Sequence, residues 1–380
     1  ESHMPKYSKE RLTLLLLFPA MLLIGFWMLL GLCTKADSVS KVSLSAPLQE
    51  QTDRLLQQQT MGSRTLRSFS AGVQYHMGLS QINQVYLTPS RMLEAPDVLD
   101  ADALEQTAEQ INAFYQENQT PICLLAAPCA TEFYQDQLPT GVLFHSQKAQ
   151  LERFYDALQT PIRTIDPYPV LMPVQEDYIF YRTDTKWTSY GAYCVYRSVV
   201  QKMGFLPISY DTYVVSHVYG AYRGDLYQQC AYLGITPDIL DLYSSSKQEL
   251  PVTVQDGVGE DGAVRTLYDT EALESDTPYD FYLGADTPLL TITTAVDNEK
   301  RLLLLKDDWA DCMVPFLTKH FQTIYVLDVT CASAKDAAQL REVAFDQILM
   351  VCDLETYENT AAMQRLLRAS SKTSTVSFLK

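Results

Sequence analysis

Basic side chains are scarce in this chain of 380 residues: 29 Lys and Arg stand against 46 Asp and Glu, a formal net charge of -17. Nucleic-acid surfaces need clustered cations against the phosphates, so the balance argues against that class of partner. Histidine is scarcer still, at five, and no Cys or His falls in the spacing of a zinc site. A Walker loop, a G-x-G-x-x-G turn and an H-E-x-x-H helix are all missing. Nucleotide cofactors and catalytic zinc therefore have no support, and neither cofactor nor metal is expected. Of the eight cysteines, Cys123, Cys194 and Cys352 sit in apolar segments, where a free thiol behaves as a small hydrophobe.

Apolar residues are plentiful. They make up 47% of the chain against 20% charged, enough for a sizeable core and unlike a disordered composition. They are densest near the N-terminus. Glu1-Ser2-His3 reads as a tag remnant before Met4, and 4–11 as a short basic cytoplasmic N-terminus. Leu12 to Cys33 is an uncharged run of 22 residues, and about 20 suffice to cross a bilayer as a helix. With Lys6, Lys9 and Arg11 ahead of it, the run predicts a single-pass anchor in the cell membrane, its C-terminal domain extracytoplasmic. Residues 34–79 read as a stalk and 80–380 as the folded domain.

Within that domain strand and helix patterns alternate. QVYLTP (84–89), PICLLAAP (121–128), PIRTID (161–166), RLLLLK (301–306), QTIYVLDV (322–329) and FDQILMVCD (345–353) read as strands. Between them fall amphipathic helices, one capped by Asp100 or Asp102. This is the rhythm of an α/β fold whose mostly parallel sheet is covered on both faces. From about 205 to 290 it breaks into Tyr-rich sequence, read as an insertion of irregular loops and antiparallel strands. Its tyrosines (Tyr210, Tyr213, Tyr219, Tyr222, Tyr227, Tyr232) either line a sugar-stacking groove or pack, the plainer alternative.

Two strand-to-helix turns carry the chemistry, because ligands in open α/β sheets sit beyond the carboxyl ends of strands. One is YRTDTKWTSYGAY (181–193), with Asp184, Lys186, Trp187 and Tyr193. The other is LLLLKDDWADCMVPFL (302–317), with Asp307, Asp308, Trp309 and Asp311. Together with AAPCATEFYQDQLP (126–139) and GDLYQQCAYLGITPDILDLY (224–243), they resemble the bacterial DHHW family. That family is SGNH-hydrolase-like and related to SGNH-type alginate O-acetylation proteins. The resemblance implies an SGNH-like three-layer fold, to which the irregular insertion and the one N-terminal transmembrane helix read above are added.

The departures from that pattern matter as much. The resemblance places a serine nucleophile where this chain has Asp308 and a base histidine where it has Lys186; only the triad acid, Asp184, remains. A lysine of ordinary pKa near 10.4 is protonated at neutral pH and cannot take a proton from a nucleophile. A structural ion pair replaces the triad, and Asp311 adds a carboxylate where an oxyanion would develop. No catalytic residue is therefore expected; Asp307, Trp187, Trp309, Asp311 and Tyr193 line a remnant pocket. The implied function is a pseudoenzyme that serves cell-wall or exopolysaccharide O-acylation, with polysaccharide and a membrane-bound O-acyltransferase as partners. The alternatives are a divergent esterase or O-acetyltransferase using Asp308, and a glycan- or protein-binding scaffold unrelated to acylation.

Overall fold

A computed structural model describes residues 63–371, apart from 96–97, 143, 246–250 and 260–261. The chain falls into two compact units, Glu1–Ser70 and Ala71–Lys380. Of the first, residues 63–70 are described, and they are helical. The tag remnant, the basic N-terminus, the 12–33 run and most of the expected stalk lie outside the described residues. The expected membrane localisation is corrected: among the described residues, no helix is long and apolar enough to cross a membrane. Ala101–Asn118, with 18 residues, carries Asp102, Glu105, Glu109 and Glu117 along its length, where a span needs about 20 apolar residues in a row.

The second unit begins in helical residues 71–76 and then forms a small antiparallel sheet of β1 (Gln81–Ile82), β2 (Val85–Leu87) and β3 (Met92–Glu94). Helix α1 (Ala101–Asn118) follows, and the structure selects Asp100 as its cap, its side chain accepting from the Asp102 amide. Next come β4 (Ile122–Ala127), α2 (Lys148–Asp156), β5 (Arg163–Ile165) and α3 (Ser189–Lys202). The Tyr-rich region holds β6 (Tyr213–Tyr222), α4 (Asp225–Cys230), β7 (Asp238–Ser245), β8 (Val252–Asp256) and β9 (Val264–Arg265). The remainder is β10 (Leu289–Thr294), β11 (Arg301–Lys306), β12 (Thr323–Asp328), α5 (Ala334–Ala338), β13 (Gln347–Asp353), α6 (Leu354–Glu358) and α7 (Thr360–Ser370).

Eight strands form the main sheet in the order β5-β4-β13-β11-β12-β10-β8-β9. The five from β5 to β12 are parallel. Their interiors read ICLLAA, LLLL and ILMVC, all buried, as strands covered on both faces require. Helix α1 packs with α2, α6 and α7, and α3 with β4 and β5. The Tyr-rich region holds the expected antiparallel strands, but not all of them stand apart from the main sheet. Only β6 and β7 form a sheet of their own; β8, β9 and β10 extend the main sheet antiparallel beyond β12.

The segment after β11 departs too. Sequence periodicity predicts one helix through 309–321, yet the chain makes a 3-10 turn, Asp308–Met313, and a short helix, Val314–Leu317. The Asp307 carboxylate takes the Trp309 amide at 3.1 Å, and Lys306 draws Asp311 back to 2.7 Å. Both contacts tighten the turn. Just beyond it, His320 is buried, its Nε2 2.6 Å from the Tyr196 hydroxyl.

Burial pushes the His320 pKa down to about 4. An unfolded histidine titrates near 6.5, so between pH 6.5 and 4 the unfolded chain binds a proton that the native one refuses. Stability from this group is complete above pH 6.5 and falls by roughly 3 kcal/mol as pH drops toward 4. His320→Gln is expected to remove that part of the pH dependence, read as a smaller change in the urea midpoint between pH 7 and pH 4.5. An unchanged slope would place the loss on other groups.

Candidate functional site

The loop bearing Asp184 and Lys186 is held before it is functional. Phe180 and Trp187 form an antiparallel bridge, and the Tyr181 amide donates to the Lys186 carbonyl. Asp238, fully buried at the start of β7, accepts from the amides of Arg182 and Thr183 at 2.7 and 2.8 Å and from the Thr183 hydroxyl at 2.6 Å. Thr188 then caps α3 through the Gly191 amide. With a fourth bond from the Tyr178 hydroxyl, the Asp238 carboxylate anchor makes the turn a rigid shelf.

On that shelf Asp184 is fully buried. Its Oδ1 accepts from the Lys186 amide at 3.0 Å and Nζ at 3.1 Å. Its Oδ2 accepts from the Tyr222 hydroxyl and, at 3.4 Å, from the Asp225 amide. The Lys186 ammonium also lies 2.5 Å from Asp225 Oδ2 and 3.3 Å from Asp308 Oδ2. The lysine side chain is only 4% exposed, whereas those of Asp225 and Asp308 are 63% and 48% exposed. One sequestered cation thus plugs three carboxylates, two of them open to solvent.

Burial by itself would strip the charge from Lys186. The Asp184, Asp308 and Asp225 carboxylates outweigh it and hold the pKa well above the ordinary value. Burial likewise works against ionised Asp184, and the Lys186 charge with the Tyr222 hydrogen bond outweighs it, lowering that pKa. An ammonium in this setting has no lone pair to offer.

Gly224 is required by the same cluster. A Cβ there would fall on the Asp184 carboxyl, which cannot retreat because Tyr222 and Lys186 hold it. Gly224→Ala is expected to cost about 1–3 kcal/mol, the range of overpacking. A thermal midpoint equal to that of the native protein would show the carboxylate free to move.

The other residues singled out from the sequence separate. Asp307 is buried and structural, its Oδ2 taking the Asp353 amide at 2.8 Å across the neighbouring strand end. Asp311 pairs with Lys306, which also meets Asp328 at 2.7 Å. Burial pushes the Asp311 pKa up to about 7, against the pull of Lys306. Trp187 is fully buried, its indole N–H donating to the Trp309 carbonyl at 2.8 Å; it supports the site from beneath. Tyr193 is not a pocket residue: it packs tilted and edge-on among Tyr196, Tyr210, Tyr213 and Phe316, and its hydroxyl donates to the Ile208 carbonyl. Tyr213 and Tyr222 are buried, so the tyrosine cluster is in good part packing.

Asp225 and Asp238 are the members that the sequence reading did not single out, and Tyr222 it named only among the tyrosines of the groove, not as a partner of Asp184. Asp225 had a signal, a carboxylate inside the Gly-Asp-Leu segment at 224–226. Glu94 and Asp353 had none. With Glu355, Gln147, Thr185, Cys129 and Trp309 they line a cavity of about 100 Å³. It lies where β4 and β13 end, at Ala127 and Asp353, beside the Lys186 cluster.

A mostly parallel sheet with a buried acid and two facing positions at its strand ends is the frame of an α/β protein with a strand-end site. Residues 128–327 match the DHHW protein family, and the chain belongs to it. Among solved structures it is similar to a DHHW family protein from Eubacterium siraeum, at 20% identity over 75% of this chain and 95% of the other, TM-score 0.63. It is also similar to Bacillus cereus PatB1 with a sulfonyl adduct, at 20% identity over 74% and 97% of the two chains, TM-score 0.60. These likenesses show the fold. No curated protein matches.

Proposed function

We propose that this DHHW protein is a non-catalytic, SGNH-like component of polysaccharide O-acylation machinery. In this reading it binds cell-wall or exopolysaccharide glycan beside a membrane-bound O-acyltransferase. One observation carries the loss of catalysis: the Lys186 ammonium sits within 3.3 Å of Asp184, Asp225 and Asp308. Serine catalysis needs a neutral base next to a hydroxyl, and here a cation stands next to a carboxylate. The link to acylation comes from the likeness of its motifs to alginate acetylation proteins, and the glycan from the cavity left open beside the plugged triad.

The test is turnover of an activated acetyl ester by the native protein beside Asp308→Ser/Lys186→His. Hydrolysis by the native protein that disappears in Asp308→Ala would overturn this reading in favour of an enzyme with a carboxylate nucleophile.

A further inference from the structure

A groove of about 520 Å³ opens between the end of β7, the start of β8 and the residues that follow β9, the last strand of the main sheet. That volume is in the range of small-molecule sites. Leu242, Pro251, Val252 and Leu267 give its apolar wall, and Tyr243 and Tyr268 its rings. No charged residue lines it, and none of the Lys186 cluster does. The rings are held in place. Tyr268 stacks on Phe281, with centroids 4.9 Å apart, and its hydroxyl donates to the Tyr243 carbonyl at 3.3 Å. Tyr243 packs edge-on against Tyr210, Tyr213 and Phe316. The remaining polar wall is two hydroxyls, Thr266 and Ser244. Thr266 donates to the Tyr268 carbonyl at 2.9 Å and Ser244 to the Val214 carbonyl at 3.4 Å. A hydroxyl whose hydrogen is already given to a carbonyl offers only lone pairs. The groove is thus uncharged and partly aromatic, and its hydroxyls are acceptors.

Those walls select among occupants. A uronate or an amino sugar would shed water against walls that hold no counter-charge. An acyl chain would cover the hydroxyl oxygens of Thr266 and Ser244 and bring no donor to them. An extended peptide binds by adding to a free strand edge. Here β6 takes one edge of β7, and tyrosine hydroxyls occupy backbone groups on the other. Tyr178 meets the Ile239 amide, Tyr282 the amide and carbonyl of Asp241, and Tyr268 the Tyr243 carbonyl. A neutral pyranose satisfies every wall. Its hydroxyls donate to Thr266 and Ser244, and its C–H face lies against the tyrosine and leucine side chains.

We infer that this groove is a binding site for an uncharged pyranose unit of a glycan. The inference rests on the glycan-binding reading above and deepens it, naming the sugar class and a contact apart from the plugged triad. Its tyrosines, Tyr243 and Tyr268, are not those of the sugar-stacking groove expected from the sequence. The experiment is titration calorimetry of the full chain with cellotetraose, tetra-N-acetylglucosamine, tetraglucosamine and tetragalacturonate, and with octanol and acetylated tetra-alanine amide. One of the two uncharged sugars is expected to bind at least about 10-fold more tightly than any other probe class. Thr266 is exposed, so its variants should keep the native thermal midpoint. Thr266→Val, which removes one acceptor, should weaken that sugar about 5-fold, and Thr266→Trp, which fills the groove, at least about 10-fold. Tighter binding of a charged sugar overturns the class and leaves the glycan reading standing. Equal or tighter binding of octanol or of the peptide overturns the sugar as occupant. Uncharged-sugar binding that both Thr266 variants leave intact overturns the placement alone. Binding of no sugar at all defeats the inference and the glycan reading together.

Discussion

Asp308→Ser/Lys186→His is expected to hydrolyse an activated acetyl ester at least about 10²-fold faster than the native protein, which should match the uncatalysed rate. The ground for this is distance. Lys186 Nζ and Asp308 Oδ2 are 3.3 Å apart, so the two positions already lie within hydrogen-bond reach. Asp184 remains in place to orient a base at 186, fixed by Tyr222 and the backbone. The reaction should rise with pH rather than peak near neutrality. Asp184 and Asp225 would hold a histidine at 186 protonated above its usual 6.5, and only the neutral ring can act as base. Adding Asp225→Asn should move that rise to lower pH. Silence from a folded double variant would mean that the site has lost more than two side chains.

Lys186→Met should be the most destabilising single change in the site, at about 3–5 kcal/mol, because it leaves Asp184 buried without its counter-ion. The cost should depend on pH in a definite direction. Without the lysine, burial lifts the folded pKa of Asp184 above its unfolded value near 3.9. The folded variant then binds a proton that the unfolded chain releases, and its stability falls as pH rises through that window. The deficit against the native protein is therefore largest at pH 7–8 and shrinks toward pH 4. Asp184→Asn/Lys186→Met should recover much of the loss, since removing both charges removes the uncompensated one. Urea midpoints at pH 4.5 and 7.5 for the three proteins measure it; a deficit independent of pH would mean that the lysine acts through packing alone.

The strands of the parallel sheet were legible because each is a short unbroken apolar run, and β11, read at 301–306, is Arg301–Lys306. The helical segments were harder. WADCMVPFLTKHF has helical periodicity, but Asp307 and Lys306 pull its first turn into a 3-10 form, and both acts are tertiary. Strand β10 was hidden within Tyr-rich sequence. What recruits it is the open edge of β12, with which it pairs from Leu289 to Thr293, and an open edge is invisible to local pattern.

The site divides in the same way. The pairing of Asp184, Lys186 and Asp308 could be read from two motifs and the rule that strand ends meet. Asp225 joins them only because β6 returns to the shelf and α4 starts there, at the one residue, Gly224, with no side chain to strike Asp184.

By itself the sequence determined the fold class, the family and the charged residues at 184, 186 and 308, because residue identity and local period are written in order along the chain. Tertiary structure alone decided that one lysine answers three carboxylates, that Tyr193 packs away from them, and that Glu94 and Asp353 share a cavity. Coulomb forces and burial act on distances, and contacts between residues more than 100 positions apart, such as Lys186 to Asp308, exist only once the sheet has closed.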